Sequence, residues 1–166
     1  MKPKLGISDR NREGVVKILN PLLSDEFLLY TKTRKHHWNV TGPHFHDLHK
    51  LFESQYEELD EIVDEVAERA RSLGGIAFGT LSEFLQHARL KEKAGLPAGQ
   101  AGKNPPASGM IADLLSDHEA LVQILRTDLE ACADLGDAGT SDFLTGLMER
   151  HEKMAWMLRA LLEGKR

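Results

Sequence analysis

The chain is poor in several features that would otherwise define its class. Cys132 is the only cysteine in 166 residues, so an internal disulfide and a cysteine-based zinc cage are both excluded. Its place in an apolar-periodic stretch reads as a small buried side chain rather than a redox group. No run approaches the roughly 18 apolar residues of a membrane span, and the basic stretch Met1–Gly6 carries no apolar core of a signal peptide. A cytoplasmic location is expected, with no membrane partner. No segment alternates in the manner of a strand, and no internal repeat is evident. Glu-x-x-His, the motif of a metal centre inside a single four-helix bundle, occurs nowhere. Cations are not in excess: the net charge of −5 argues against nucleic acid as a default partner, since phosphate binding needs clustered positive charge.

What is present is helical periodicity. The first long segment runs from Ser8, a candidate N-cap, to Asn39, with Pro21 inside it expected to kink or divide it. Gly42-Pro43 breaks the chain, and a second helix is expected from His44 to Leu73, stopping at Gly74-Gly75. Residues Thr80 to Ala88 predict a short extra helix capped by Thr80. The Gly, Ala, Pro and Lys composition of residues 91–108 reads as an exposed, mobile loop. A third long helix begins after Ser108 and runs to about Leu135, and a fourth runs from Thr140 to Leu162. The expected architecture is all-α: one domain over 1–166, with tails at 1–7 and 164–166. Within it, a four-helix bundle carries the short helix between the second and third long helices.

The second helix faces two ways. Taking His49 as zero at 100° per residue, Leu48, Leu51, Phe52, Leu59, Ile62, Val66 and Leu73 fall between about 200° and 300°, the core face. Glu53, Asp60, Asp64 and Glu68 fall nearly opposite, with Tyr56 beside the zero direction. The acids follow a histidine-dense stretch of His36, His37, His44, His46 and His49. Imidazole plus carboxylate is a ligand set suited to iron and other borderline divalent metals. Spacing sets a limit, however. His49 and Asp64 lie about 22 Å apart along a straight helix and cannot hold one ion within one chain. Asp64 and Glu68, at i and i+4, can act together. A second copy packed antiparallel across this face would bring His37 and His49 of one chain to Asp64 and Glu68 of the other, giving two equivalent sites by two-fold symmetry.

These residues carry a family resemblance. His37-Trp38-Asn39-Val40, Gly42-Pro43, Phe45, Leu48-His49, Asp64-x-x-Ala67-Glu68-Arg69 and Leu73-Gly74-Gly75 resemble the Dps mini-ferritins, over most of the chain from Leu19 to Leu162. The resemblance implies a ferritin-like fold and a dodecameric hollow shell built on two-fold dimers. It also implies a di-iron ferroxidase centre at the dimer interface, with His37 and His49 from one subunit and Asp64 and Glu68 from its neighbour. Trp38 would stand beside the centre to intercept reactive oxidant, or serve as an amphipathic interface aromatic. The implied activity is oxidation of Fe(II) by hydrogen peroxide or dioxygen, with ferric mineral stored inside as protection against oxidative stress.

Asp137-x-x-Thr140-x-Asp142 resembles the family segment that lines a pore with acids, so Asp137 and Asp142 are expected at a cation entrance. Acids at a helix start also complement its dipole. Glu53 is a candidate for mineral nucleation. His36, His44 and His46 depart from the family pattern and are candidate extra metal ligands, which makes zinc an expected competitor. DNA binding, the family's other activity, is disfavoured: a dozen copies at −5 carry roughly −60. The basic residues near the termini (Lys2, Lys4, Arg10, Arg12, Lys165 and Arg166) are fewer than in the longer lysine-rich tails of the family, although tails in many copies can bind by avidity. Two other readings stand beside ferroxidase and iron store: a DNA-compacting shell, and a zinc or copper scaffold without oxidation chemistry. Trp156, Met154 and Met157 read as core or interface packing, and His118 and His151, set among acids, as surface or interface polar groups.

Overall fold

A computed structural model describes residues 3–92 and 105–163. Five helices and no strands occur among them: α1 (Asp9–Asn39), α2 (Phe45–Ser72), α3 (Leu81–His87), α4 (Ala107–Asp134) and α5 (Ala138–Glu163). α1 packs on α2 and α4 on α5, and the two hairpins join mainly through α1 and α4, with α3 laid against α1. This is the expected four-helix bundle with a short fifth helix between the second and third long ones. No helix among the described residues is long and apolar enough to cross a membrane.

Local chemistry fixes most of the boundaries. Ser8 caps α1 by accepting a hydrogen bond from the Asn11 amide. Thr80 and Glu83 cap α3 reciprocally, each side chain accepting from the other residue's amide. α2 ends in a left-handed glycine: Gly74 has φ +86°, its N–H donates to Arg71 and that of Gly75 to Ala70. Gly75 then lies so close to Val16 that an added Cβ would sit 2.5 Å from it, which locks the turn onto α1. Gly136 repeats the arrangement after α4, with φ +76°.

Three expectations are corrected. Pro21 neither divides nor ends α1, which runs unbroken through it. One missing backbone donor is outweighed by Leu19, Leu22 and Leu23, which are buried on either side of it. α5 begins two residues earlier than Thr140, because Asp137 is its cap. Ala107 and Ser108, placed in the expected loop, form the first turn of α4 after Pro106; the rest of that loop falls largely on 93–104, outside the described residues. The core face of α2 matches the angular reading. Leu48, Phe52, Leu59, Ile62, Val66 and Leu73 are buried, and Leu51 partly so.

Candidate metal centre

The α1–α2 hairpin brings His37, near the end of α1, against His49, in the second turn of α2. Their rings stack with centroids 3.8 Å apart. The hydrogen bonding is reciprocal: His37 Nδ1 lies 2.8 Å from the His49 carbonyl and His49 Nδ1 3.0 Å from the His37 carbonyl. A carbonyl only accepts, so both Nδ1 atoms carry the proton and both Nε2 atoms present a lone pair. Each imidazole is thus held in the tautomer and orientation that a metal ligand requires. Phe45 stacks on His49 at 5.0 Å and Tyr56 meets His37 edge-on at 5.1 Å.

Trp38 points outward and is 67% exposed. The Arg34 guanidinium lies 5.6 Å from its ring and 4.8 Å from that of Tyr56. Glu53 sits on the same side, hydrogen-bonded by Lys50 at 2.5 Å. That bond, with smaller help from the positive charge of Lys50, holds its carboxyl below the usual range.

The carboxylates occupy the other end of α2. Asp64 and Glu68 are both exposed, one turn apart. Asp60, Glu61 and Asp64 rim a cleft of about 550 Å³ whose walls are Leu23, Phe27, Val63, Ala67, Phe78, Leu81 and Phe84. Among the described residues no three histidine, cysteine or acidic side chains gather into a group able to hold an ion. One chain therefore presents an imidazole pair where α1 meets the start of α2 and a carboxylate pair towards the other end of α2.

The remaining candidates are scattered. His36 turns away from His37 into the α1–α4 contact, where its Nε2 lies 3.3 Å from Asp113, and burial pushes its pKa down. His44 precedes α2 with no side-chain cap bond, and His46 is exposed, 3.6 Å from Asp47. Asp142 is exposed beside an open hollow with Ser141 and Thr145.

Asp137 faces inward at 2% exposure. It accepts from the Thr140 amide at 3.0 Å and hydroxyl at 2.6 Å, and from Arg69 Nη2 at 2.9 Å. Its carboxylate caps α5 and ties it to the end of α2. Asp137→Ala is expected to cost about 2–3 kcal/mol in equilibrium unfolding, and Asp137→Asn, which keeps the cap, about half of that. Equal stability of the alanine variant and wild type would remove this role.

One buried group escaped the sequence reading. His118 and His151 are fully buried rather than at the surface, and Glu26 is buried with them. The signal was present in the spacing: Leu114, His118, Leu121 and Leu125 share one stripe, as do Leu147, His151, Met154 and Leu158. Acidic neighbours in sequence obscured it. Of the three residues expected in core or interface packing, Met154 is buried and Met157 partly so, whereas Trp156 is 61% exposed and lies outside the core. His87, unassigned in sequence, stacks on Phe78.

An all-α bundle carrying separated imidazole and carboxylate pairs belongs to the ferritin-like class, and the ferritin-like domain model matches residues 16–166. The chain is 49% identical over 162 residues to an uncharacterised low temperature-induced protein of Nostoc, covering 97% of this chain and 87% of that one. It is 36% identical over 148 residues to DNA protection during starvation protein 2 of Bacillus anthracis, covering 89% and 96%. Among solved structures, Dps of Bacillus brevis superposes with a TM-score of 0.83 at 33% identity, covering 92% and 97%. Dps of Vibrio cholerae, described as one of the ferritin-like diiron-carboxylate proteins, superposes with a TM-score of 0.86 at 29% identity, covering 98% of each. The chain belongs to the Dps family of mini-ferritins.

Proposed function

We propose that this protein oxidises and stores iron at centres shared between subunits of a dodecameric shell. The observation that carries the reading is the reciprocal backbone lock of His37 and His49, which leaves both Nε2 atoms free of that lock while, among the described residues, no three ligating side chains of one chain gather to complete a site. Asp64 and Glu68 supply the missing anionic ligands from a two-fold partner. Uncovered apolar surface borders both halves, as an interface needs: Trp38 and Phe45 beside the imidazoles, and the Phe27–Phe84 cleft beside Asp64.

Iron enters as substrate. Two Fe(II) ions give up one electron each; hydrogen peroxide takes both with two protons and leaves as two waters. Pairing the electrons in one step avoids release of a one-electron oxidant, which fits the DNA protection during starvation named in a relative. Dioxygen is the slower alternative oxidant. The exposed Asp142 is the acid left to draw cations to an entrance, and Glu53 the acid beside the centre for mineral growth. Zinc, with the same ligand preference and no redox chemistry, competes for the site; the exposed His44 and His46 are further places for it.

The test loads wild type and a His37→Ala/Asp64→Ala variant anaerobically with Fe(II) and adds peroxide. Loss of two ligands is expected to slow oxidation at least ~100-fold, with one peroxide consumed per two irons in wild type. Equal rates would overturn the reading. Metal binding without peroxide consumption would make the protein a zinc or copper scaffold, and retarded DNA migration at moderate salt would restore the DNA-compacting shell.

A further inference from the structure

At the centre of the bundle three ionisable side chains form a line across three long helices. Glu26 of α1 lies 3.0 Å from His151 Nε2 of α5, and His151 Nδ1 lies 3.0 Å from His118 Nδ1 of α4. All three residues are fully buried. A carboxylate oxygen opposite a ring nitrogen calls for one proton, and two facing ring nitrogens call for another. The ends of the line, Glu26 Oε2 and His118 Nε2, have no hydrogen-bond partner among the described residues. α2 contributes only the uncharged Gln55, whose amide nitrogen lies 3.4 Å from the Met154 carbonyl.

We infer that the Glu26–His151–His118 line is an acid-sensitive lock in the bundle core, closed while one proton bridges each gap and forced open by a further proton on His118. The physical reason is local. Two imidazolium rings cannot face each other nitrogen to nitrogen at 3.0 Å, and among the described residues no carboxylate bonds His118 to compensate.

The neighbouring charges on every packed helix are engaged elsewhere. Asp25 beside Glu26 holds Arg89, and Lys32, further along α1, meets Asp113 and Asp117. Glu119 holds Arg159. On α5, Arg150 reaches Glu58, Glu61 and Glu65 of α2, and Glu152 holds Arg126. Burial, followed by the charge of His151, accordingly keeps His118 neutral far below the usual histidine range.

The direction of the effect follows from linkage. In the unfolded chain His118 gains its proton near pH 6.5, whereas in the folded chain it does so only in stronger acid. Between those values the unfolded state binds the extra proton, so stability is lost as pH falls, up to about tenfold in the folded-to-unfolded ratio per pH unit.

The experiment compares denaturant unfolding of wild type and His118→Gln from pH 8 to 5. The glutamine amide can donate to His151 Nδ1 but does not titrate in this range. The variant is expected to lose the folded state less steeply below pH 6.5, by up to about tenfold per pH unit. The buried His36 contributes equally to both proteins and cancels. Parallel pH dependences would overturn the proposal. Should His118→Gln fail to fold, imidazole C2–H exchange in the wild-type assembly, followed by mass spectrometry, decides the matter. Absence of an inflection at His118 between pH 7 and 5.5 is the expected result, and an inflection near pH 6.5 overturns the lock.

Discussion

Subunits carrying His37→Ala and subunits carrying Asp64→Ala, each nearly inactive alone, are expected to recover about a quarter of wild-type iron oxidation when unfolded and reassembled in equal amounts. Every pure dimer lacks the same ligand at both of its centres. A mixed dimer places intact His37 of one chain opposite intact Asp64 of the other at one centre, and collects both defects at the second. Random pairing makes about half of the dimers mixed, with one working centre in each. The effect is large because the parental background is low: removing a ligand is expected to leave roughly one part in a hundred of the activity or less. Rates per subunit, measured on mixtures whose size matches that of wild type, provide the readout. A mixture no faster than the mean of its two parents would show that each centre draws its ligands from one chain.

The second large effect concerns stability. Asp25 is fully buried on α1 and accepts hydrogen bonds from the Leu90 amide at 2.8 Å, from the Arg89 amide, and from Arg89 Nε at 2.8 Å. Arg89 also holds Asp128 of α4 at 2.8 Å. Two carboxylates, Asp25 and Asp128, therefore pin the segment leaving α3 to two long helices. Burial raises the pKa of Asp25 even against the Leu90 amide and Arg89, the mark of a charge held in place by its partners. Asp25→Ala would strand two amides and leave Arg89 with Asp128 alone.

Breaking a buried pair costs about 3–5 kcal/mol; because the Arg89 side chain is 33% exposed, the lower end applies, about 3 kcal/mol. For a chain of this size that corresponds to a fall of roughly 6–12 °C in the unfolding midpoint. Asp25→Asn, which can still accept from an amide, should lose about half as much. A midpoint within 2 °C of wild type for the alanine variant would contradict the pinning role. Since α3 carries Leu81 and Phe84 to the cleft beside Asp64, loss of the pin should also weaken dimer formation.

The helices were legible in the sequence because their ends rest on local chemistry. Ser8, Thr80 and Gly74 act within one turn of themselves, and the apolar stripe of α2 is a matter of spacing alone. Pro21 misled because its cost is local whereas the compensating burial comes from other helices. His37, His49, Asp64 and Glu68 could be singled out, but the Nδ1 lock joining the first two could not. It depends on how tightly α1 and α2 pack at their turn, which no pattern of residue types records. The same holds for His118 and His151: a polar residue within an apolar stripe is ambiguous until its partner, here Glu26 on a distant stretch of chain, is brought to it.

The mutual grip of His37 and His49 also has a bearing on timing. Both rings are set by the backbone of their own hairpin, so a newly made chain has them ready before it meets any neighbour. On the proposed reading it still holds only half of a reaction centre. Ferrous ion encountering a solitary chain would find nowhere to be oxidised, and the chemistry would switch on only once a container exists to receive its product.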